Sequence, residues 1–153
     1  MNELIPHLGT CSNKKEFLIK LECLKSVTGV GIRVGKQTLS QYMLLFYTHF
    51  LHDAEELVVL EIIRTLARLL KLRLISKTTL IQNESSKDQV SHHLLDKILP
   101  FLLHPNAWIR EETLNFVLIL SDFNKTKLLT KAEVFCILGR KLRPFLRNAE
   151  TAN

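Results

Sequence analysis

Glycine and proline are scarce. Five glycines and four prolines in 153 residues leave little material for the tight turns of an all-β fold, so helix is the default. The three cysteines, Cys11, Cys23 and Cys136, form neither an even disulfide framework nor a Cys-x2-Cys knuckle, which points to a reducing compartment. No apolar run reaches the roughly 18 uncharged residues of a membrane span. Arg64, Arg68, Lys71 and Arg73 interrupt the richest one, and the chain is expected to be soluble. Asn2 stands where myristoylation needs glycine, so no lipid anchor is expected either.

The chemistry of common enzymes is missing as well. Gly29-Val30-Gly31-Ile32-Arg33-Val34-Gly35 misses the dinucleotide spacing by one and follows a helix pattern instead of a strand, so it reads as helix termination. Ser121-Asp122-Phe123-Asn124 is not a kinase metal loop, because Asn replaces Gly and no His-Arg-Asp loop precedes it. His92 and His93 point different ways on a helix and lack further ligands, so no metal and no cofactor is expected. No nucleophile–base set or paired carboxylates can be assembled, and no catalytic residue or small-molecule substrate is expected.

What is present is leucine at helical spacing in a chain that is 46% hydrophobic. The segment from Lys97 to Glu112 organises the rest. An apolar helix runs to His104, Pro105-Asn106 turns the chain, and a second apolar pattern begins. A related frame, Phe50-Leu51-His52-Asp53-Ala54-Glu55-Glu56-Leu57, opens another long helix with Asp53 as its cap. Two matching junctions in a short chain predict an all-α, HEAT/armadillo-like α-solenoid of about three antiparallel helix pairs.

The domain is expected over 12–147, with a terminal segment at 1–11 and a frayed tail at 148–153. The first helix should start at Ser12 and end at Gly35. The second opens on the capping box Thr38-Leu39-Ser40-Gln41 and runs to about Leu51, and the third follows to about Leu72. In the third, Glu61, Arg64, Thr65, Arg68 and Lys71 mark one solvated stripe and apolar residues fill the remainder. A polar connection over 73–87 leads to a helix capped by Asp88, with Leu94, Leu95, Ile98, Leu99, Leu102 and Leu103 buried and a kink at Pro100. A fifth helix then buries Ile109, Thr113, Phe116, Val117 and Leu120 together with Leu114 and Leu118. The sixth opens on the capping box Thr130-Lys131-Ala132-Glu133 and runs towards Phe145.

Function is therefore sought on surfaces. The junction signature is Asp53, Pro100, His104, Pro105, Asn106, Trp108 and Arg110. Trp108 is expected to pack under its own turn, the alternative being a partner anchor, and Arg110 to bond a neighbouring turn. The net charge of +6, with much of the excess in the last quarter, hints at anionic partners. Arg140, Lys141, Arg143 and Arg147 form the candidate patch, with Arg140, Arg143 and Arg147 on one helical face.

Three stretches carry a family resemblance. They are Asp53-Ala54-Glu55-Glu56-Leu57-Val58, the run from Ile98 through His104-Pro105-Asn106-Ala107-Trp108-Ile109-Arg110, and Ala132-Glu133-Val134-Phe135-Cys136 followed by Leu142-Arg143-Pro144-Phe145-Leu146. With Gly35-Lys36-Gln37 they resemble the helical region of the regulatory, protein-kinase-like subunit of the class III phosphatidylinositol 3-kinase complex, in order and spacing from about Leu21 to Leu146. The resemblance implies a non-catalytic scaffold that joins a kinase domain to a WD-repeat propeller. Its implied partners are the lipid kinase catalytic subunit and its adaptors, in autophagy and endosomal sorting. The implied location is cytoplasmic, peripheral to endosomal or autophagic membranes through the complex. The rival readings are a basic α-solenoid on anionic membrane or, less favoured, nucleic acid, and the helical part of a longer serine/threonine protein kinase.

Overall fold

A computed structural model describes residues 4–39, 51, 55–81 and 94–151, and among them there is no strand. Helix α1 spans Leu4–Val34 and is followed by a single turn, Lys36–Thr38. Helix α2 is Glu56–Lys71 and α3 is Lys77–Leu80. Helix α4, Leu94–Ile98, tightens into a 3-10 segment, Leu99–Leu103. Helix α5 is Ala107–Ser121 and α6 is Phe123–Thr126. Lys131–Glu133, a π-helical stretch Val134–Leu138 and Gly139–Thr151 run on as one helix, α7.

The cross-links between helices reveal how these rods are stacked. Near its start α2 meets the start of α5, where Asn106 Nδ2 donates to Glu56 Oε2 at 2.6 Å. Further along, Arg64 pairs with Glu112 at 3.3 Å, and beyond both helices Arg73 Nε donates to the Lys125 carbonyl at 3.0 Å. Partners advance together, so α2 and α5 run parallel, with about 50 residues between equivalent positions. Helices α1 and α2 follow the same rule. The Thr65 hydroxyl lies 3.5 Å from the Leu24 carbonyl, and further along a Cβ on Gly31 would stand 3.4 Å from Leu69 Cδ2. Helix α2 is thus held between α1 and α5 in one layer. The 3-10 segment packs on α5, and α7 packs on the 3-10 segment, with Lys141 bonded to Asp96. Parallel neighbours offset by about 40 residues for α1 and α2 and by about 50 for α2 and α5 are consistent with an α-solenoid.

Local chemistry explains most element ends. Gly35 sits at φ 83°, a left-handed conformation that only glycine adopts without strain, and it closes α1 as expected. Arg73 takes the same role for α2 at φ 59°: Leu74 N–H reaches the Leu69 carbonyl at 2.9 Å and Arg73 N–H the Leu70 carbonyl at 3.0 Å. That double bond satisfies the last carbonyls without glycine, and the Arg73 side chain anchors the turn to the end of α5. Asn106 caps α5 by accepting from Trp108 N–H. Thr130 and Glu133 form the expected capping box. At Pro100 the α-helix gives way to 3-10 geometry, the start-stop that a missing backbone donor imposes.

Several expectations are corrected. Helix α1 is already helical at Leu4, not first at Ser12; Pro6 falls in its opening turn, where a missing N–H leaves no bond unmade. Helix α2 begins at Glu56 with Glu55 before it, so the cap does not fall at Asp53, which itself lies outside the described residues. The second helix after Thr38, the Asp88 cap and His92-His93 also lie outside them. The polar stripe of α2 is narrower than expected. Thr65 is fully buried because its hydroxyl bonds the Glu61 carbonyl at 2.8 Å, and Glu61 is buried because Arg68 pairs with it at 3.2 Å. Leu57, Leu103, Leu114 and Leu118, expected in the core, are exposed. The expected frayed tail continues as helix to Thr151.

The core is one cluster centred on α2, where Val58, Ile62, Ile63, Leu66 and Leu69 are fully enclosed with Phe116 and Ile109 of α5 and Leu95 and Ile98 of α4. Glu133 ties α7 to α3. Its carboxylate is held by the Lys77 ammonium and by the N–H and hydroxyl of Thr130 at 2.9 and 3.1 Å, which together lower its pKa from 4.5 to about 2. A carboxylate depressed in the fold contributes stability that is complete above its unfolded value of 4.5 and is lost as pH falls through about 2. Glu133→Gln is therefore expected to lower stability near neutrality, where the contribution is complete, and to converge with the unaltered protein as pH falls towards about 2, which flattens the profile across that acid window. Urea midpoints collected between about pH 6 and about pH 2 check this. Parallel profiles for the two proteins would contradict it.

Candidate docking surface

The junction between the 3-10 segment and α5 is built by a small network of hydrogen bonds. Asn106 accepts from Trp108 N–H at 2.9 Å, donates through its side-chain amide to Glu56, and donates its own N–H to His104 Nδ1 at 3.0 Å. The His104 ring stands 6.0 Å from that of Phe101. Arg110 Nη1 donates to the carbonyls of His104 and Pro105 at 2.7 and 2.8 Å. A forked cation thus satisfies carbonyls that the tight turn leaves exposed, the structural role expected for Arg110.

Trp108 is not under this turn. It is 63% exposed, which corrects the expectation that it packs there. The reason lies in helix geometry: at 3.6 residues per turn, Ile109, Thr113, Phe116 and Leu120 fill the inner face of α5, and Trp108 falls to its side. Ala107, Leu114 and Leu118 take the opposite, outer face. There a groove of about 290 Å³ is lined by Leu102, Ala107, Arg110, Glu111 and Leu114. Leu103, Leu114 and Leu118 are exposed as well, with Trp108 exposed on the side of the helix, so α5 is apolar on both sides with only the inner one covered. Single exposed leucines are ordinary, whereas an aromatic with several leucines beside a groove has the composition of an interface core.

Of the signature residues, the structure brings His104, Pro105, Asn106, Trp108 and Arg110 together, and Pro100 lies on the preceding 3-10 segment, exposed. The basic patch is divided. Arg140, Arg143 and Arg147 are exposed on one face of α7, whereas Lys141 is turned inward to Asp96. The residues missed in the sequence are Leu103, Leu114 and Leu118. The signal was there for the α5 pair, because Ala107, Leu114 and Leu118 recur at helical spacing opposite the Ile109–Phe116 stripe. Among the described residues no group of His, Cys, Asp and Glu has the arrangement of a metal site, and no helix is long and apolar enough to cross a membrane.

A protein-family model described as "PIK3R4-like, middle domain" matches residues 1–153. The chain belongs to that family. This agrees with the resemblance to the helical region of a regulatory, protein-kinase-like subunit. Curated relatives include a non-specific serine/threonine protein kinase of Candida glabrata, 32% identical over 144 residues, 93% of this chain and 9% of that protein. A probable serine/threonine-protein kinase vps15 of Dictyostelium discoideum is 28% identical over 145 residues, 95% of this chain and 7% of that protein. The serine/threonine-protein kinase VPS15 of Saccharomyces cerevisiae is 54% identical over 46 residues, 30% of this chain and 3% of that protein. The PIK3R4-like chain therefore spans less than a tenth of the length of the relatives it matches. No solved structure matches it.

Proposed function

We propose that this PIK3R4-like segment is a non-catalytic helical scaffold in a phosphatidylinositol 3-kinase complex, serving autophagy and endosomal membrane trafficking from the cytoplasmic side. The observation that carries the reading is the family match along the whole of 1–153. The fold supports it, because stacked helices offer broad faces for protein partners. Its partners are the lipid kinase catalytic subunit and its adaptors, met on the exposed side and outer face of α5 with Trp108 as anchor. Kinase activity belongs, in this reading, to other parts of proteins such as the relatives.

The test is recovery of a purified lipid kinase catalytic subunit by the tagged chain, scored beside circular dichroism. Retention is expected for the unaltered chain. Trp108→Ala is expected to weaken it by at least about thirtyfold, the effect of removing an interface anchor worth about 2 kcal/mol, with an unchanged thermal melt. A folded chain that retains no lipid kinase overturns the scaffold reading. Retention that is indifferent to Trp108→Ala and to Leu114→Asp moves the interface off α5.

A further inference from the structure

Helix α7 has two faces of different chemistry. Leu138, Leu142 and Phe145 turn inward onto the core, and Lys141 fixes the helix to α4 through Asp96. Away from the core Phe135, Arg140, Arg143, Leu146 and Arg147 are exposed. At 3.6 residues per turn the arginines fall within an arc of about 60°. Phe135 is 71% exposed and Leu146 62% exposed, so on one side of the arginines apolar groups too are left in water. Arg140 and Arg143 make no ion pair within the described residues. The only acidic residue of Gly139–Thr151 is Glu150, which comes after all of the arginines.

We propose that this face is a docking surface for an anionic lipid bilayer. A helix that lies on a membrane needs cations for the phosphates and apolar side chains that reach the acyl boundary beneath them. Guanidinium forks match phosphate oxygens, and Phe135 and Leu146 supply the apolar part. A nucleic acid would engage the arginines and leave Leu146 idle, whereas a bilayer uses both kinds of side chain. Because the inner face is already packed, the surface is formed before contact and no folding has to accompany binding. The inference stands on this face alone and goes beyond the scaffold reading, since it requires no protein partner.

Sedimentation of the 153-residue chain with phosphatidylcholine vesicles, with and without phosphatidylserine, tests it. Binding is expected only where phosphatidylserine is present, and it should weaken as salt shortens the range of the arginine charges. Each neutralised arginine is expected to weaken it about fivefold, so Arg140→Gln with Arg143→Gln together give about twenty-five-fold. Phe135→Ser with Leu146→Ser is expected to cost a further factor of about ten, because apolar area no longer leaves water. These side chains are exposed, so the helical signal should persist. No binding to phosphatidylserine vesicles at low salt overturns the proposal, as does equal binding to neutral ones. Binding that ignores the serine pair and is displaced by RNA also overturns it, in favour of a nucleic-acid surface.

Discussion

Leu69→Asp is expected to abolish the cooperative melt of this protein. Leu69 is fully enclosed in α2, the helix held between α1 and α5, and its Cδ2 lies where a Cβ on Gly31 would make contact. Truncating an enclosed leucine removes about 2–5 kcal/mol through lost transfer energy and the void left behind. The aspartate adds a carboxyl group that finds water on neither side, costing a further few kcal/mol even if it protonates. A domain of this size is stable by about 5–15 kcal/mol in all, so the sum reaches the whole of it. Leu66→Asp, equally enclosed one turn earlier, should behave alike. Leu118→Asp is the control, because that leucine is 59% exposed on the outer face of α5 and its carboxylate would stay hydrated. Circular dichroism against temperature separates the three variants. A sharp transition for Leu69→Asp at the unaltered midpoint would mean that α2 is not the centre of the stack.

The contrast between Leu69 and Leu118 also marks what the sequence makes legible. Signals that operate within one turn of chain were readable. Asn106 and Thr130 cap where their side chains reach nearby N–H groups, Gly35 ends α1 through its backbone freedom, and Pro100 interrupts α4 by lacking a donor. The chirality of the α2 end was less readable, since Arg73 adopts the left-handed turn that glycine usually takes and is held there by a carbonyl 52 residues away. Which apolar stripe is covered depends on neighbours distant in sequence. Helix α5 has leucines all round, and periodicity alone cannot say that α2 and the 3-10 segment cover one side and leave Leu114 and Leu118 outside. The same holds for Thr65 and Glu61. Their polarity argues for water, and they are buried because a carbonyl and Arg68 replace that water. The Leu-His frames at Leu51-His52 and Leu103-His104, read as a sign of repetition, have an offset close to the interval linking Glu56 to Asn106.

Phe116 and Trp108 bring the two halves of this reading to one measurement. Both are large aromatics on α5, and composition alone would rank the tryptophan as the weightier core residue. The structure reverses the ranking: Phe116 is wholly enclosed beside α2, and Trp108 is 63% exposed on the side of α5. Phe116→Ala is expected to destabilise the fold by about 3–5 kcal/mol, because the closely packed inner face of α5 cannot collapse around the missing ring. In a chain of this length that loss lowers the melting midpoint by about 10 °C. Trp108→Ala should change stability by less than about 0.5 kcal/mol, the usual range for a surface side chain, while its backbone N–H keeps the bond to Asn106 that caps the helix. A destabilisation of several kcal/mol from Trp108→Ala would put the indole back under its turn and remove the anchor from the proposed interface. An unchanged melt joined to lost partner binding would assign the two faces of one helix to separate tasks: the Phe116 face holds the stack together, and the Trp108 face is left for what the stack carries.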